Sequence, residues 1–156
     1  MERFTATPEQ EEILISAFAH VAVLIGAADG KMDEEELAWS KKITQIRTFH
    51  GHDEFFDFYK KLDAQIEDRI SSILEIHADN PADREEYIFG CLTEVNPVLA
   101  QLPPQYGAHL YQDLRSYAKH IARASGGFLR FFSVNANENQ WLNLPMIQEV
   151  IWEEEE

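Results

Sequence analysis

The feature that most constrains the fold is an apolar stretch over residues 13–28, whose polar side chains are only Ser16 and His20. A helix that is apolar nearly all round belongs in the interior of a bundle, and a membrane span needs about 20 apolar residues. This stretch is shorter and has acids on both sides. We therefore predict a buried central helix and no membrane insertion, with His20 as a hydrogen-bonded core histidine. The residues before it lack the basic region and cleavage site of a signal peptide.

Cap and turn residues mark the start of this helix and the positions of further helices along the chain. Thr7-Pro8 with Gln10 has the pattern of a capping box, and Asn80-Pro81 opens a helix by the same cap-then-proline logic. Asn96-Pro97 is expected to end or kink that helix. The other predicted helices run from Asp33 to about His50, from Asp53 to about His77 with a possible break near Asp63, from Gln105 to about Ser125, and from between Asn135 and Asn137 through Leu144, Ile147 and Ile151.

The alternation of apolar and polar residues that is typical of strands is missing from the sequence. We therefore predict an all-α, compact bundle of about six to seven helices. With 45% hydrophobic residues, the chain can close one core without disulfides, so residues 1–156 form one domain, ending in a frayed acidic tail at residues 153–156. A single cysteine, Cys91, excludes an intrachain disulfide and favours a cytoplasmic protein in which this thiol is buried in the core.

The formal net charge of −15 limits the partners that the protein can bind. Nucleic acids are bound through clusters of lysine and arginine that displace counterions, and the sequence has no such cluster. Cations and proteins with a basic surface are the expected partners. The oligomeric state stays open.

An acidic turn over residues 29–36, in which five of the eight residues are acids, is the strongest candidate site. Oxygen ligands gathered on a tight turn suit a hard divalent cation, calcium or magnesium, and Asp29, Asp33 and Glu36 are the expected ligands. The same residues also have a purely structural interpretation. Asp29-Gly30 would end one helix, while Asp33 and Glu36 would form a capping box at the next. A capping carboxylate can also bind an ion, so the two interpretations are compatible.

A standard EF-hand is excluded at this turn. The offset from Gly30 to Glu36 is that between the glycine and the bidentate glutamate of an EF-hand loop. The first two ligand positions of such a loop would then fall on Ile25 and Ala27, which have no side-chain oxygen. A cation bound by so reduced a ligand set is expected to bind weakly unless another helix contributes.

Residues 28–37 resemble the alanine-Asp-Gly turn and following glutamate of the TerB-like domains, named from tellurite resistance and found also in a membrane-anchored DnaJ-type co-chaperone. Residues 122–142 resemble the second half of that family more loosely, as a weak internal duplication. The resemblance implies about seven helices with pseudo-twofold character, a metal-binding acidic turn and a role in stress or tellurite resistance. Ser125 stands where the family has aspartate, which argues against a second metal site. Whether Ser125, Asn137 and Glu138 supply ligands stays open.

The sequence carries no nucleophile elbow, Walker loop or dinucleotide-binding loop. We therefore expect no enzyme. The expected function is that of an accessory domain that binds a divalent cation at the acidic turn and docks a partner protein. Two alternatives stay open: an acidic protein-interaction module that needs no metal, and a metal-dependent hydrolase that uses the same turn.

Overall fold

The computed structural model describes residues 3–27, 37–38, 41–42, 53–124 and 143–152. These residues form a compact all-helical structure, without a strand in the described ranges, which confirms the predicted fold class. A 3-10 turn at Asp53–Phe55 precedes the second helix. The α-helices are α1 (Pro8–Gly26), α2 (Phe56–Glu75), α3 (Pro81–Thr93), α4 (Val95–Gln101) and α5 (Pro104–Ala124).

Within the described ranges there are fewer helices than the six or seven predicted. The helix predicted after Asp33 falls mostly outside those ranges, although residues 37–38 and 41–42, which belong to it, are helical. Among the described helices, none has the length and apolar content needed to cross a membrane.

Helix α1 is the centre of the bundle and, within the described ranges, packs against each of α2, α3, α4 and α5. It begins at the predicted capping box, where the Gln10 main-chain N–H donates to Thr7 Oγ1 at 3.1 Å and the Thr7 N–H donates to Gln10 Oε1 at 3.0 Å. From Leu14 to Gly26 every residue of α1 except Ser16 is buried. The prediction of a buried central helix is therefore confirmed.

Helix α2 is amphipathic and packs along α1. It runs through Asp63 without interruption, so the predicted break there is wrong. The helix has neither proline nor glycine, and the acid at this position lies on a half-buried face, which does not disturb a helical backbone. Its buried side chains recur at helical spacing: Phe58, Tyr59, Leu62, Ile66, Ile70 and Ile73.

Helix α3 begins at the predicted cap, where the Asp83 N–H donates to Asn80 Oδ1 at 3.2 Å. The interruption predicted at Asn96-Pro97 exists but lies earlier in the chain, since α3 ends at Thr93 and α4 begins at Val95. Pro97 therefore falls in the first turn of α4, where the missing N–H removes no helical hydrogen bond.

In the C-terminal segment, residues 143–152, Asn143 has a 3-10 conformation and residues 144–152 are not helical, so the helix predicted through Leu144, Ile147 and Ile151 is wrong over this part. Leu144 has a φ of 49° and precedes Pro145, and the residue before a proline is biased away from the α conformation. The apolar spacing instead serves an irregular segment in which Leu144, Met146 and Ile147 are buried.

The Asn96 side chain fixes this segment to α4. Its Nδ2 donates to the Met146 carbonyl at 2.9 Å, and its Oδ1 accepts from the Gln148 N–H at 2.7 Å. Within the segment the Ile147 N–H donates to the Leu144 carbonyl at 3.0 Å, and the Asn96 amide satisfies two further main-chain groups.

We expect Asn96→Ala to lower the free energy of unfolding by about 1–3 kcal/mol, because two hydrogen bonds are lost and two main-chain groups need new partners. Asn143→Ala is the matched control, since Asn143 is exposed and, among the described residues, accepts one hydrogen bond from half-buried Arg115 at 3.2 Å, and this change should alter stability by less than about 0.5 kcal/mol. Urea unfolding of both variants measures the difference. Equal losses of stability would show that the Asn96 amide does not anchor the segment.

Two helical glycines give a second test of the packing. At Gly107 in α5 an added Cβ would lie 2.7 Å from the Leu99 carbonyl oxygen and 3.4 Å from Val150 Cγ1, whereas at Gly90 in α3 nothing lies within 4 Å. We expect Gly107→Ala to destabilise the protein by about 1–3 kcal/mol through overpacking, and Gly90→Ala to stabilise it by about 0.5–1 kcal/mol. Thermal and urea unfolding of the two variants measure the change in stability that each causes. A stabilising Gly107→Ala would contradict the close packing of α4 on α5.

Candidate functional site

The expected cation ligands Asp29, Asp33 and Glu36 lie outside the described residues, as do Ser125, Asn137 and Glu138. The cation site therefore stays a prediction. Within the described ranges, His, Cys, Asp and Glu side chains form no group of three or more that could bind a metal ion.

The residues that flank the acidic turn are described, and both flanks contact the bundle. On the N-terminal side, Ala27 is buried and its N–H donates to the Val23 carbonyl at 2.9 Å, which caps α1. On the C-terminal side, Leu37 packs against the hydrophobic core. The Lys41 ammonium then lies 3.3 Å from the Glu67 carboxylate of α2. The acidic turn therefore joins two points that are fixed on the same core.

A pocket of about 490 Å³ lies between α1, α2 and α3. Ser16 and His20, the two polar residues of the apolar stretch, supply its α1 wall, and Tyr87 supplies its α3 wall. Residues of α2 and of the turn that follows it complete the lining: Gln65, Asp68, Arg69, Ser72, Ile73 and Ile76.

Arg69 is the centre of a hydrogen-bond network along one side of the pocket. Its guanidinium donates to both Glu12 oxygens, at 2.8 and 2.6 Å, and to Ser16 Oγ at 2.6 Å. Nε and Nη2 both donate to Gln65 Oε1, at 3.0 and 2.7 Å. A guanidinium has five N–H donors, so all of them are used within the protein. The hydrogen bond from Arg69 lowers the pKa of the Glu12 carboxyl, with a smaller opposing effect of burial.

His20 is buried on the α1 wall, with 8% of its surface exposed. Burial lowers the pKa of this imidazole, which outweighs the opposite effect of its hydrogen bond to the main chain of Ser16, and the nearby charge of Arg69 lowers the pKa further. The ring is therefore neutral at pH 7. A neutral imidazole that donates through one nitrogen accepts through the other, so His20 brings one acceptor to the pocket wall.

Tyr87 faces His20 with the ring centroids 6.1 Å apart, in an edge-to-face arrangement. A hydrogen bond to Cys91 raises the pKa of the Tyr87 phenol, while burial raises the pKa of the Cys91 thiol and the hydrogen bond lowers it. The phenol and the thiol thus interact across one turn of α3. Cys91 is only partly buried, so the prediction of a core cysteine is wrong. It lies in α3, one helical turn after exposed Tyr87.

A second polar cluster joins α2 to α5 and supports the bundle. The buried Tyr59 hydroxyl donates to the Asp113 carboxylate, and His109 Nε2 lies 3.2 Å from the same carboxylate. The His109 ring stacks on Phe55 with a centroid separation of 4.5 Å. These side chains are packed against each other and border no pocket described above, so we assign them a structural role.

Sequence reasoning identified His20 as a hydrogen-bonded core residue, which the structure confirms, but did not find the pocket that it lines. The signal was present in the two polar interruptions of the apolar stretch, since both Ser16 and His20 fall on the pocket wall. What the sequence could not supply is the partner Arg69, which lies 57 residues from Glu12 along the chain.

No protein-family model matches this chain, and no match was found among curated proteins or solved structures. The resemblance to the TerB-like domains therefore stays a prediction from residues 28–37.

The pKa of His20 predicts a pH dependence of stability. In the unfolded chain the imidazole takes up a proton as the pH falls through about 6.5, whereas the folded protein takes it up only at lower pH. The unfolded state therefore binds more protons in this window, and the free energy of unfolding falls with decreasing pH by at most about 1.4 kcal/mol per pH unit. Below the lowered pKa of the folded state this contribution levels off.

Urea unfolding of wild type and His20→Phe at pH 7.5, 6.5 and 5.5 measures this contribution. Phenylalanine fills similar space and does not titrate, so the variant should lose less stability on acidification than wild type. All other ionisable groups contribute equally to both proteins. Parallel pH profiles would show that His20 is not held neutral by burial.

Proposed function

We propose that this protein is a TerB-like accessory domain that binds calcium or magnesium at its acidic turn through Asp29, Asp33 and Glu36. The observation that carries the proposal is the attachment of the turn at both ends, through buried Ala27 and core-packed Leu37. A short segment between two fixed points has less conformational entropy to lose when its oxygens gather around an ion. A compact helical structure is also what the family resemblance implies.

Electrostatics favour a cation at this turn. Five acids within residues 29–36 repel one another, in a chain whose net charge is already −15. A divalent cation would relieve part of that repulsion and would be the largest local charge in the site. The ligand set has few members, so binding is expected to be weak, in the range of about 10⁻⁴–10⁻³ M that is typical of low-affinity calcium sites.

The ion would control the docking of a partner protein. Without metal, the acidic turn attracts a basic surface, and bound cation reduces that attraction by neutralising the carboxylates. Metal occupancy and partner binding would then be coupled through charge at one short segment. The family resemblance and the single cysteine extend the proposal to a cytoplasmic protein that acts in stress or tellurite resistance.

The direct test is calorimetric titration of Ca²⁺ and Mg²⁺ into wild type and into the triple variant Asp29→Asn, Asp33→Asn, Glu36→Gln. We expect a saturable heat in wild type that is lost in the variant. The matched control replaces three exposed acids elsewhere in α2, α3 and the turn between them: Glu75→Gln, Asp79→Asn and Glu86→Gln. It removes the same charge and should retain the heat of wild type.

Two outcomes would contradict the cation site: no saturable heat in wild type, or equal heats in wild type and in the acidic-turn variant. The same proteins separate the metal-free interaction module from the proposal. If a lysine-rich peptide binds with an affinity that salt weakens but neither calcium nor a chelator changes, the turn acts by charge alone.

A further inference from the structure

We propose that the pocket between α1, α2 and α3 binds a small organic cation, an ammonium group carried on a compact apolar body. This inference is independent of the acidic turn, because it rests only on the described lining residues. The pocket volume of about 490 Å³ lies within the range of about 300–1,000 Å³ that is typical of small-molecule sites.

The arginine of the pocket is not available to an anion. Arg69 uses all five of its N–H donors on Glu12, Ser16 and Gln65. An anionic ligand would have to replace the bidentate contact with Glu12, in which both hydrogen bonds are charge-assisted and therefore strong. The positive charge of Arg69 is thus neutralised inside the protein before any ligand arrives.

The remaining polar groups of the described lining include several acceptors, with the Gln65 amide nitrogen as a donor beside them. Neutral His20 has one acceptor nitrogen, and the Tyr87 oxygen has lone pairs that can accept. Ser72 offers a hydroxyl and Asp68 a carboxylate. A ligand that donates hydrogen bonds fits this set, and an ammonium group donates three.

The net charge of the pocket lining also favours a cation. The Arg69 charge is balanced by Glu12, so the charge that remains among the lining residues is the carboxylate of Asp68. The net charge of −15 on the chain adds a long-range attraction for cations and a repulsion of anions.

The apolar residues of the lining indicate which apolar group the ligand carries. Ile73 and Ile76 lie on the α2 side of the pocket, and the Tyr87 ring lies on the α3 side. An aromatic face also attracts a cation, by about 0.5–1 kcal/mol at an exposed site. A short amine with one ring or a branched alkyl group would contact both walls while its ammonium group reaches the acceptors.

Three probes with one skeleton and different charge test the proposal: 2-phenylethylamine as the cation, 2-phenylethanol as the neutral analogue and phenylacetate as the anion. Ligand-observed NMR and calorimetry on the wild-type chain at pH 7.5 give their dissociation constants. We expect saturable binding of the amine, weaker binding of the alcohol and none of phenylacetate. Phenylacetate binding as tightly as the amine, or no saturable binding of the amine, would overturn the proposal.

Variants locate the bound amine. Asp68→Asn removes the pocket carboxylate and should weaken amine binding about fivefold to tenfold without affecting the alcohol. Asp79→Asn removes an equally exposed carboxylate that does not line the pocket and should leave the affinity unchanged. Equal effects of the two variants would mean that the amine binds through general charge attraction, which rejects the pocket.

Tyr87→Leu adds a test that does not depend on charge. This side chain is 41% exposed, so its replacement should preserve the fold, which thermal unfolding checks. Loss of the ring face and of the phenol oxygen should weaken amine and alcohol alike, whereas Asp68→Asn weakens the amine only. Unchanged amine binding by Tyr87→Leu would contradict a site at this wall.

The acidic-turn triple variant separates this proposal from the cation site. It should bind 2-phenylethylamine with the affinity of wild type, and calcium should not compete with the amine. If the triple variant loses amine binding while Asp68→Asn retains it, the amine binds at the acidic turn and the pocket assignment is wrong. Failure of calcium binding alone leaves the pocket prediction intact.

Discussion

The burial of α1 on all sides is the interaction on which the rest of the structure depends. Twelve of its nineteen residues are buried, and it contacts each of the other four helices. Burying a large aliphatic or aromatic side chain contributes about 1.5–3 kcal/mol, so this one helix accounts for a large part of the hydrophobic stabilisation. The other helices need only be apolar on the face that covers it, which agrees with the amphipathic character of α2 and α5.

A helix buried in this way leaves little room for polar side chains, and those that it has must be accommodated. Ser16 and His20 both face the junction with α2 and α3, where Arg69 and the pocket provide hydrogen-bond partners or solvent contact. The pocket is thus a consequence of burying a helix that retains two polar residues. Its chemistry follows from the same constraint, since burial keeps His20 neutral while Arg69, the cationic residue of the described lining, is paired with Glu12.

The parts of the fold that sequence reasoning found are those determined locally. The capping residues Thr7 and Asn80 determine where α1 and α3 begin, through hydrogen bonds to residues only three positions further along the chain. Helical spacing identifies the buried face of α2. The helix predicted through Leu144 is wrong because apolar residues at helical spacing do not overcome the bias of Pro145 against a helical conformation at the residue before it. The pocket network was beyond reach because it joins α1 to α2 across more than fifty residues of sequence. The candidate ligands of the acidic turn fall outside the described ranges, so their assignment as ligands rests on the sequence alone.

The Asn96 contact with the C-terminal segment has a consequence for how the protein assembles. Its partners Met146 and Gln148 lie 50 and 52 residues further along the chain, so the contact closes a long loop and costs more chain entropy than any helix cap. The burial of Leu144, Met146 and Ile147 in the core offsets that cost, so the segment is held by apolar packing together with the Asn96 amide.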